Sequence, residues 1–191
     1  MLISVEGLDG AGKTTLIAGL ARHLDDATVL REPGGVELSE RIRALVADPT
    51  LQVDPRAEAL LYAAARAQLV AEKLVDHEGT IILDRFVDSS LAYQGGGREL
   101  GVENIRNLNA FATRGITPDL TLLLRIDPEQ GLQRIAGREA DRLEASGTAF
   151  FERVAQTYDE LAAQEPDRFR VLDATLAPEQ LLQAALEAIR Q

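Results

Sequence analysis

The chain has 191 residues, 46% of them hydrophobic, enough for one domain with a real core and too few for two independent ones. It carries 31 acidic and 20 basic residues, a formal net charge of −11, which argues against nucleic acid or a membrane surface as partner. No cysteine is present, so a disulfide framework and a thiolate metal site are excluded.

Met1 to Glu6 lead straight into a glycine-rich loop, with no basic leader and no long apolar stretch. Neither a signal peptide nor a membrane span is expected, and a cytoplasmic enzyme is the default reading. Leu2 to Val5 read as the first strand. The loop that follows, Gly7-Leu8-Asp9-Gly10-Ala11-Gly12-Lys13-Thr14, fits G-x-x-x-x-G-K-[ST] between a strand and a helix, the context that a phosphate-binding P-loop requires. Glycines let backbone N–H groups converge on phosphate oxygens, Lys13 reaches the outer phosphates, and the Thr14 hydroxyl suits magnesium. Gly7 to Thr14, with Thr15 beside them, are expected to hold a nucleoside triphosphate.

Leu16, Leu20 and Leu24 then recur at helical spacing, Thr28 to Arg31 form a second strand, and Leu38, Ile42 and Leu45 repeat the helical stripe. Asp54 as N-cap and Pro55 at the first position open an alanine- and leucine-rich helix that Gly79 stops. Asp76-His77-Glu78-Gly79 spells the D-x-x-G of nucleotide switches but precedes a strand, Thr80 to Asp84, instead of following one, and no Asn-Lys-x-Asp motif occurs. Asp84-Arg85 closes that strand: the aspartate is placed to hold magnesium through water, the arginine to hold a second phosphate. Further strands are expected at Leu120 to Ile126 and Phe169 to Leu172, and helices open at Asp127-Pro128 and Ala177-Pro178. Gly137 to Gly147 are crowded with charge and lack an apolar stripe, reading as a mobile lid. The alternation predicts a five-stranded parallel α/β sheet covered by helices on both faces, in one domain spanning residues 1–191.

In order along the chain stand GLDGAGKTT, Arg31-Glu32-Pro33-Gly34-Gly35, Tyr62-Ala63-Ala64-Ala65-Arg66, Asp84-Arg85-Phe86, Ala92-Tyr93-Gln94-Gly95-Gly96-Gly97 and Asp141-Arg142-Leu143-Glu144. Together they resemble thymidylate kinases over nearly the whole length. The resemblance implies a P-loop, adenylate-kinase-like fold with a short lid, phosphoryl transfer from ATP to dTMP with Mg2+, and a homodimer.

By the family pattern Arg31 and Arg85 hold the acceptor phosphate, Asp9 reads the sugar 3′-hydroxyl, and Tyr62 stacks on the base. Arg66 donates to thymine O4, which accepts where cytosine N4 donates. Tyr93 crowds the ribose 2′ position, and Pro33, Ser90 and Gln94 line the acceptor pocket. Some family members carry an arginine at the position of Gly10. This chain resembles those that bring it from the lid, with Arg138 the first candidate, Arg142 beside it, and Arg134 a helper or anchor. Lys13, Arg85, Arg138 and Arg142 are thus the expected catalytic cations, since phosphoryl transfer depends on positioning and positive charge. Arg125 stands where the family usually has aspartate, with Asp127 two residues on, and Tyr62 replaces the commoner phenylalanine. Rival readings are a deoxynucleoside kinase with Glu32 as base, and an ATP-dependent switch.

Overall fold

The computed structural model describes residues 1–135, 142–143 and 146–190. All five expected strands form: β1 (Leu2–Gly7), β2 (Thr28–Arg31), β3 (Ile81–Asp84), β4 (Leu120–Arg125) and β5 (Phe169–Asp173). They make one sheet in the order β2-β3-β1-β4-β5, with every neighbouring pair parallel. Strands β1, β3 and β4 are buried over almost their whole length, as the apolar runs require of strands covered on both faces. The edge strands alternate instead, with Val29 and Val171 exposed. The chain winds from β1 out to β2, back to β3, and then across β1 to β4 and β5. The sheet order therefore reverses at β1, and the crevice at the carboxyl ends there is where α/β sheets bind ligands.

Helix α1 (Lys13–His23) buries Leu16, Ile17 and Leu20, as its stripe predicts. Helix α2 (Glu37–Ala47) does not: Leu38 and Leu45 are 48% and 49% exposed, and the buried positions are Ser39, Ile42 and Val46. The Ser39 hydroxyl donates to the Ala65 carbonyl at 2.7 Å, seating that face on helix α3 and turning the two leucines outward. Helix α3 (Pro55–Leu69) opens as expected, with the Asp54 carboxylate accepting from the Arg56 N–H. It ends before Gly79, passing into a wider π-helical turn at Val70–Leu74. That turn buries Val70 and Leu74 together against Ile81, Leu83 and Phe86.

After β3 come α4 (Val87–Ser90), a π-helical run Leu91–Gly97, and α5 (Val102–Thr113). Three glycines argue against a helix at 95–97, yet close approach explains them. A Cβ at Gly96 would strike Thr157, and one at Gly97 would strike Phe150 and Val154, all on α7 (Thr148–Gln164). Helices α6 (Pro128–Ile135) and α8 (Pro178–Ile189) begin at the expected prolines. The main core joins β1 and β4 to Phe150, Phe151, Val154 and Tyr158 of α7 and to Leu181 and Ala185 of α8. Each such large apolar side chain contributes about 1.5–3 kcal/mol, which fixes the sheet ends that carry the cleft.

Candidate active site

At the end of β1 the backbone takes positive φ at Gly7, Gly10 and Gly12, and α1 begins at once. Gly12 caps α1 without a side-chain bond, and no acidic residue stands in the first turn. The first N–H groups are thus open to an anion. Gly10 is also sterically fixed, because a Cβ there would strike the Gly131 carbonyl of α6. Lys13 folds back over the loop, its Nζ donating to the Gly7 and Leu8 carbonyls at 3.0 and 2.9 Å. Burial and the Arg85 charge lower its pKa to about 8, against the pull of Asp9, Asp84 and Glu6. Thr14, Thr15 and Gly12 are exposed. Lys13 and Thr14 share one cleft with Asp84 at the end of β3, and with Arg31, Arg43, Arg85 and Arg134.

Asp9 joins that cleft to a second one. Arg85, itself at φ +70°, donates to Asp9 Oδ1 at 2.7 Å, Tyr93 Oη at 3.2 Å, Ser89 Oγ at 3.0 Å and the Gly7 carbonyl at 3.1 Å. Tyr93 donates to Asp9 Oδ2 at 3.3 Å, and the guanidinium lies 4.9 Å from the Tyr93 ring centroid. Burial would raise Asp9, but the charges of Arg85 and Lys13 outweigh it and hold the carboxyl at about 2. The second cleft runs from Asp9, Arg85 and Tyr93 to Pro33, Tyr62, Arg66, Ser90 and Gln94, with Leu143 at its rim. A P-loop thus faces, across one aspartate, a pocket lined by the half-buried Arg85 and by Tyr62, the buried Arg66 and the Gln94 amide. This arrangement suits a phosphate-bearing aromatic acceptor.

The family model for thymidylate kinase matches residues 5–185. The chain belongs to the thymidylate kinase family. It is 48% identical to the thymidylate kinase of Deinococcus radiodurans over 98% of this chain and 95% of that protein. The thymidylate kinase of Oenococcus oeni is 47% identical over 99% of this chain and 94% of its own length. A crystal structure of thymidylate kinase from Ehrlichia chaffeensis matches with a TM-score of 0.83 at 25% identity, covering 100% of this chain and 98% of that one.

Against the thymidylate kinase pattern, the expected residues divide. Asp9, Lys13, Thr14, Asp84, Arg85 and Tyr93 meet around the P-loop, and Pro33, Tyr62, Arg66, Ser90 and Gln94 meet in the adjoining pocket. Arg66, however, makes four hydrogen bonds and an ion pair within the protein. Nε and Nη2 lie on Glu32 Oε2 at 2.7 and 2.6 Å, Nη1 donates to Ser90 Oγ and Asn109 Oδ1, and Nη2 also donates to the Phe86 carbonyl. With Arg66 donating to Ser90, the serine hydroxyl keeps its own proton to offer the pocket. Arg31 borders the P-loop cleft, but its guanidinium turns to Glu40 at 2.9 and 3.0 Å.

Arg142 is not at the P-loop. Its Nη2 lies 2.7 Å from Glu58 Oε2, an ion pair whose angle falls outside hydrogen-bond geometry, and its Nε donates to the Val46 carbonyl. The buried Glu58 carboxylate holds it there. Arg138, with most of the expected lid, lies outside the described residues. Arg134 donates to the Gly10 and Ala174 carbonyls, an anchor for the loop. Arg125 points away from Lys13 and pairs with Asp159 at 2.8 Å. Asp127 caps α6, accepting from the Glu129 and Gln130 N–H groups, so it does not stand in for the usual aspartate.

Two buried carboxylates that brace the site, Glu6 and Glu58, are not evident from the motifs. Glu6 accepts from the Phe86 N–H, Ser89 Oγ and Tyr158 Oη at 2.7, 2.6 and 2.9 Å, fixing the turn that presents Arg85. Burial, reinforced by Asp88, raises its pKa. The second is Glu58. An acid inside the apolar strand Leu2–Gly7 is a signal for Glu6, and the Glu58, Tyr62, Arg66 spacing of four is one for Glu58.

Proposed function

We propose that the chain transfers the terminal phosphoryl group of ATP to dTMP, giving ADP and dTDP for dTTP synthesis. The observation that carries this is the continuity of the P-loop cleft with the Asp9–Arg85–Tyr93 pocket in a member of the thymidylate kinase family. The residues of Gly7 to Thr15 hold the nucleotide through α1 N–H groups and Lys13. Arg85 holds the acceptor phosphate, and Arg31 joins it by leaving Glu40. Asp9 accepts from the sugar 3′-hydroxyl, Tyr62 stacks on the base, and Pro33, Arg66, Ser90 and Gln94 shape the base end. Tyr93, buried beneath Arg85, closes the ribose 2′ side.

Mg2+ suits the residues present. Thr14 and Asp84 offer oxygen ligands to the same cleft, Thr14 directly and Asp84 through water, with the phosphates completing the shell. When bound, the ion neutralises charge on the transferring oxygens. Lys13 and Arg85 place positive charge on the donor and acceptor phosphates, and a lid arginine, Arg138 before Arg142, supplies the rest. Arg142 also anchors on Glu58.

The enzyme works as a homodimer in the cytoplasm. Ala57, Leu60, Ala64, Ala67 and Ala71 follow helical spacing along one side of α3 and its continuation, with Leu60 58% exposed, and the adjacent α5 exposes Phe111 at 88%. Such an apolar face suits a second copy of the chain. Among the described residues no helix is long and apolar enough to cross a membrane. The test is ADP release from magnesium-ATP with dTMP, dUMP, other monophosphates and free thymidine. Fast turnover on dTMP is expected. Turnover on thymidine alone, or on no acceptor, contradicts the assignment.

A further inference from the structure

Glu58 is a fully buried carboxylate on α3, one turn before Tyr62 and outside the cleft lining. Three groups from two segments converge on it. Gln94 Nε2 donates to Oε1 at 2.8 Å. Arg98 lies on both oxygens, with Nε 3.3 Å from Oε1 and Nη2 3.2 Å from Oε2. Arg142 Nη2 lies 2.7 Å from Oε2. Both arginines point N–H groups at the carboxylate, and its Oε1 accepts from the amide nitrogen of Gln94. The nitrogen of the Gln94 amide must therefore face Glu58. Its oxygen is left for the cleft that Gln94 lines, and among the described residues no group donates to it.

A free glutamine amide rotates and serves either a donor or an acceptor. A pinned one reads a single polarity. Thymine presents N3–H, a donor, where cytosine presents a bare N3, an acceptor. A fixed Gln94 oxygen pairs with the first and opposes the second, so rejection is built in as well as recognition. The same carboxylate holds Arg142, whose neighbour Leu143 forms the rim of the cleft.

We infer that Glu58 is the positioning residue that locks the Gln94 amide with its oxygen toward the acceptor base, and so sets discrimination against cytosine nucleotides. This rests on the adjoining pocket being the acceptor site.

The test compares kcat/KM for dTMP and dCMP in the full-length enzyme and in Glu58→Gln, Glu58→Asp, Arg142→Gln and Gln94→Leu. Glu58→Gln gives Gln94 a neighbour that both donates and accepts. Glu58→Asp keeps the charge but withdraws it by one methylene from Gln94. Both are expected to lower the dTMP to dCMP ratio roughly tenfold, with the KM for ATP unchanged. Arg142→Gln lowers turnover on both acceptors by one factor and leaves the ratio intact. In the Gln94→Leu background, Glu58→Gln changes the ratio no further. An unchanged ratio in either folded Glu58 variant overturns the role of Glu58; Glu58→Asp alone decides if Glu58→Gln does not fold. A wild-type enzyme with no preference for dTMP over dCMP sinks the pocket assignment itself.

Discussion

Replacing Asp9 with alanine separates two tasks of one side chain. In the folded chain Asp9 lies 2.7 Å from Arg85 and 3.9 Å from Lys13, and these charges hold its pKa at about 2 against an ordinary 3.8. That gap corresponds to ~2 kcal/mol of stability at neutral pH. Because the folded pKa is depressed, the contribution is complete above about pH 4 and is lost as pH falls through about 2. Asp9→Ala should therefore unfold in urea with ~2 kcal/mol less stability, by an amount that stays constant from pH 5 to pH 6, below the titration of Lys13. The second task is recognition. A charge-assisted hydrogen bond from the acceptor 3′-hydroxyl to Asp9 is worth about 1.5–3 kcal/mol, or roughly 10- to 150-fold in kcat/KM. The assay compares dTMP with its 3′-deoxy analogue in wild type and variant. Wild type should prefer dTMP by such a factor, and Asp9→Ala should abolish the preference while remaining folded. A preference that survives the substitution would refute the contact, and a stability loss that grows steadily from pH 5 to pH 6 would refute the electrostatic account.

Four other outcomes are expected. Lys13, at about 8 in the empty protein, should regain its proton on meeting triphosphate; calorimetry at pH 8.5 in buffers of different ionisation enthalpy should record uptake of roughly three quarters of a proton, absent in Lys13→Met. Gly10→Arg places a side chain at φ +81° against the Gly131 carbonyl, so it should lower stability by at least ~1–2 kcal/mol and fail to raise turnover. Arg125→Asp breaks an exposed pair with Asp159, whose side chains are 64% and 41% accessible. It should change stability by about 1 kcal/mol or less and turnover by no more than about twofold, since nothing links Arg125 to Lys13; a tenfold loss would place it in the nucleotide site. Leu60→Glu, in the centre of the apolar face of α3, should convert a dimer to a monomer in sedimentation, whereas an unchanged sedimentation coefficient moves the interface elsewhere.

The P-loop was legible because its chemistry is local: strand, glycines, lysine and helix follow one another within a dozen residues, and nothing distant is needed to form the turn. The strands were legible because a doubly covered sheet demands apolar runs, and α3 because Asp54 and Pro55 mark its start. Elsewhere the deciding contact comes from far along the chain. The stripe of α2 gives Leu38 and Leu45 the buried side, but one hydrogen bond from Ser39 to Ala65, 26 residues on, rotates the helix. Gly95 to Gly97 carry a turn-like signal, and only the nearness of Phe150 and Thr157 explains a helix there. The site residues divide in the same way. Tyr62 and Arg66 are placed by spacing on one helix, whereas the acceptors that occupy Arg66 come from Glu32, Phe86, Ser90 and Asn109. Arg142 reads as a catalytic cation from its lid position, because the buried Glu58 that holds it lies far back along the chain.

The most direct test of the account follows the phosphoryl group itself. ATP labelled at the terminal phosphate is incubated with Mg2+, the enzyme and dTMP, and the products are separated. The account predicts label in the outer phosphate of dTDP, none on thymidine supplied in its place, and loss of transfer in Lys13→Ala and Arg85→Met. Label released only as inorganic phosphate, or transferred to the 5′-hydroxyl of thymidine, would contradict it.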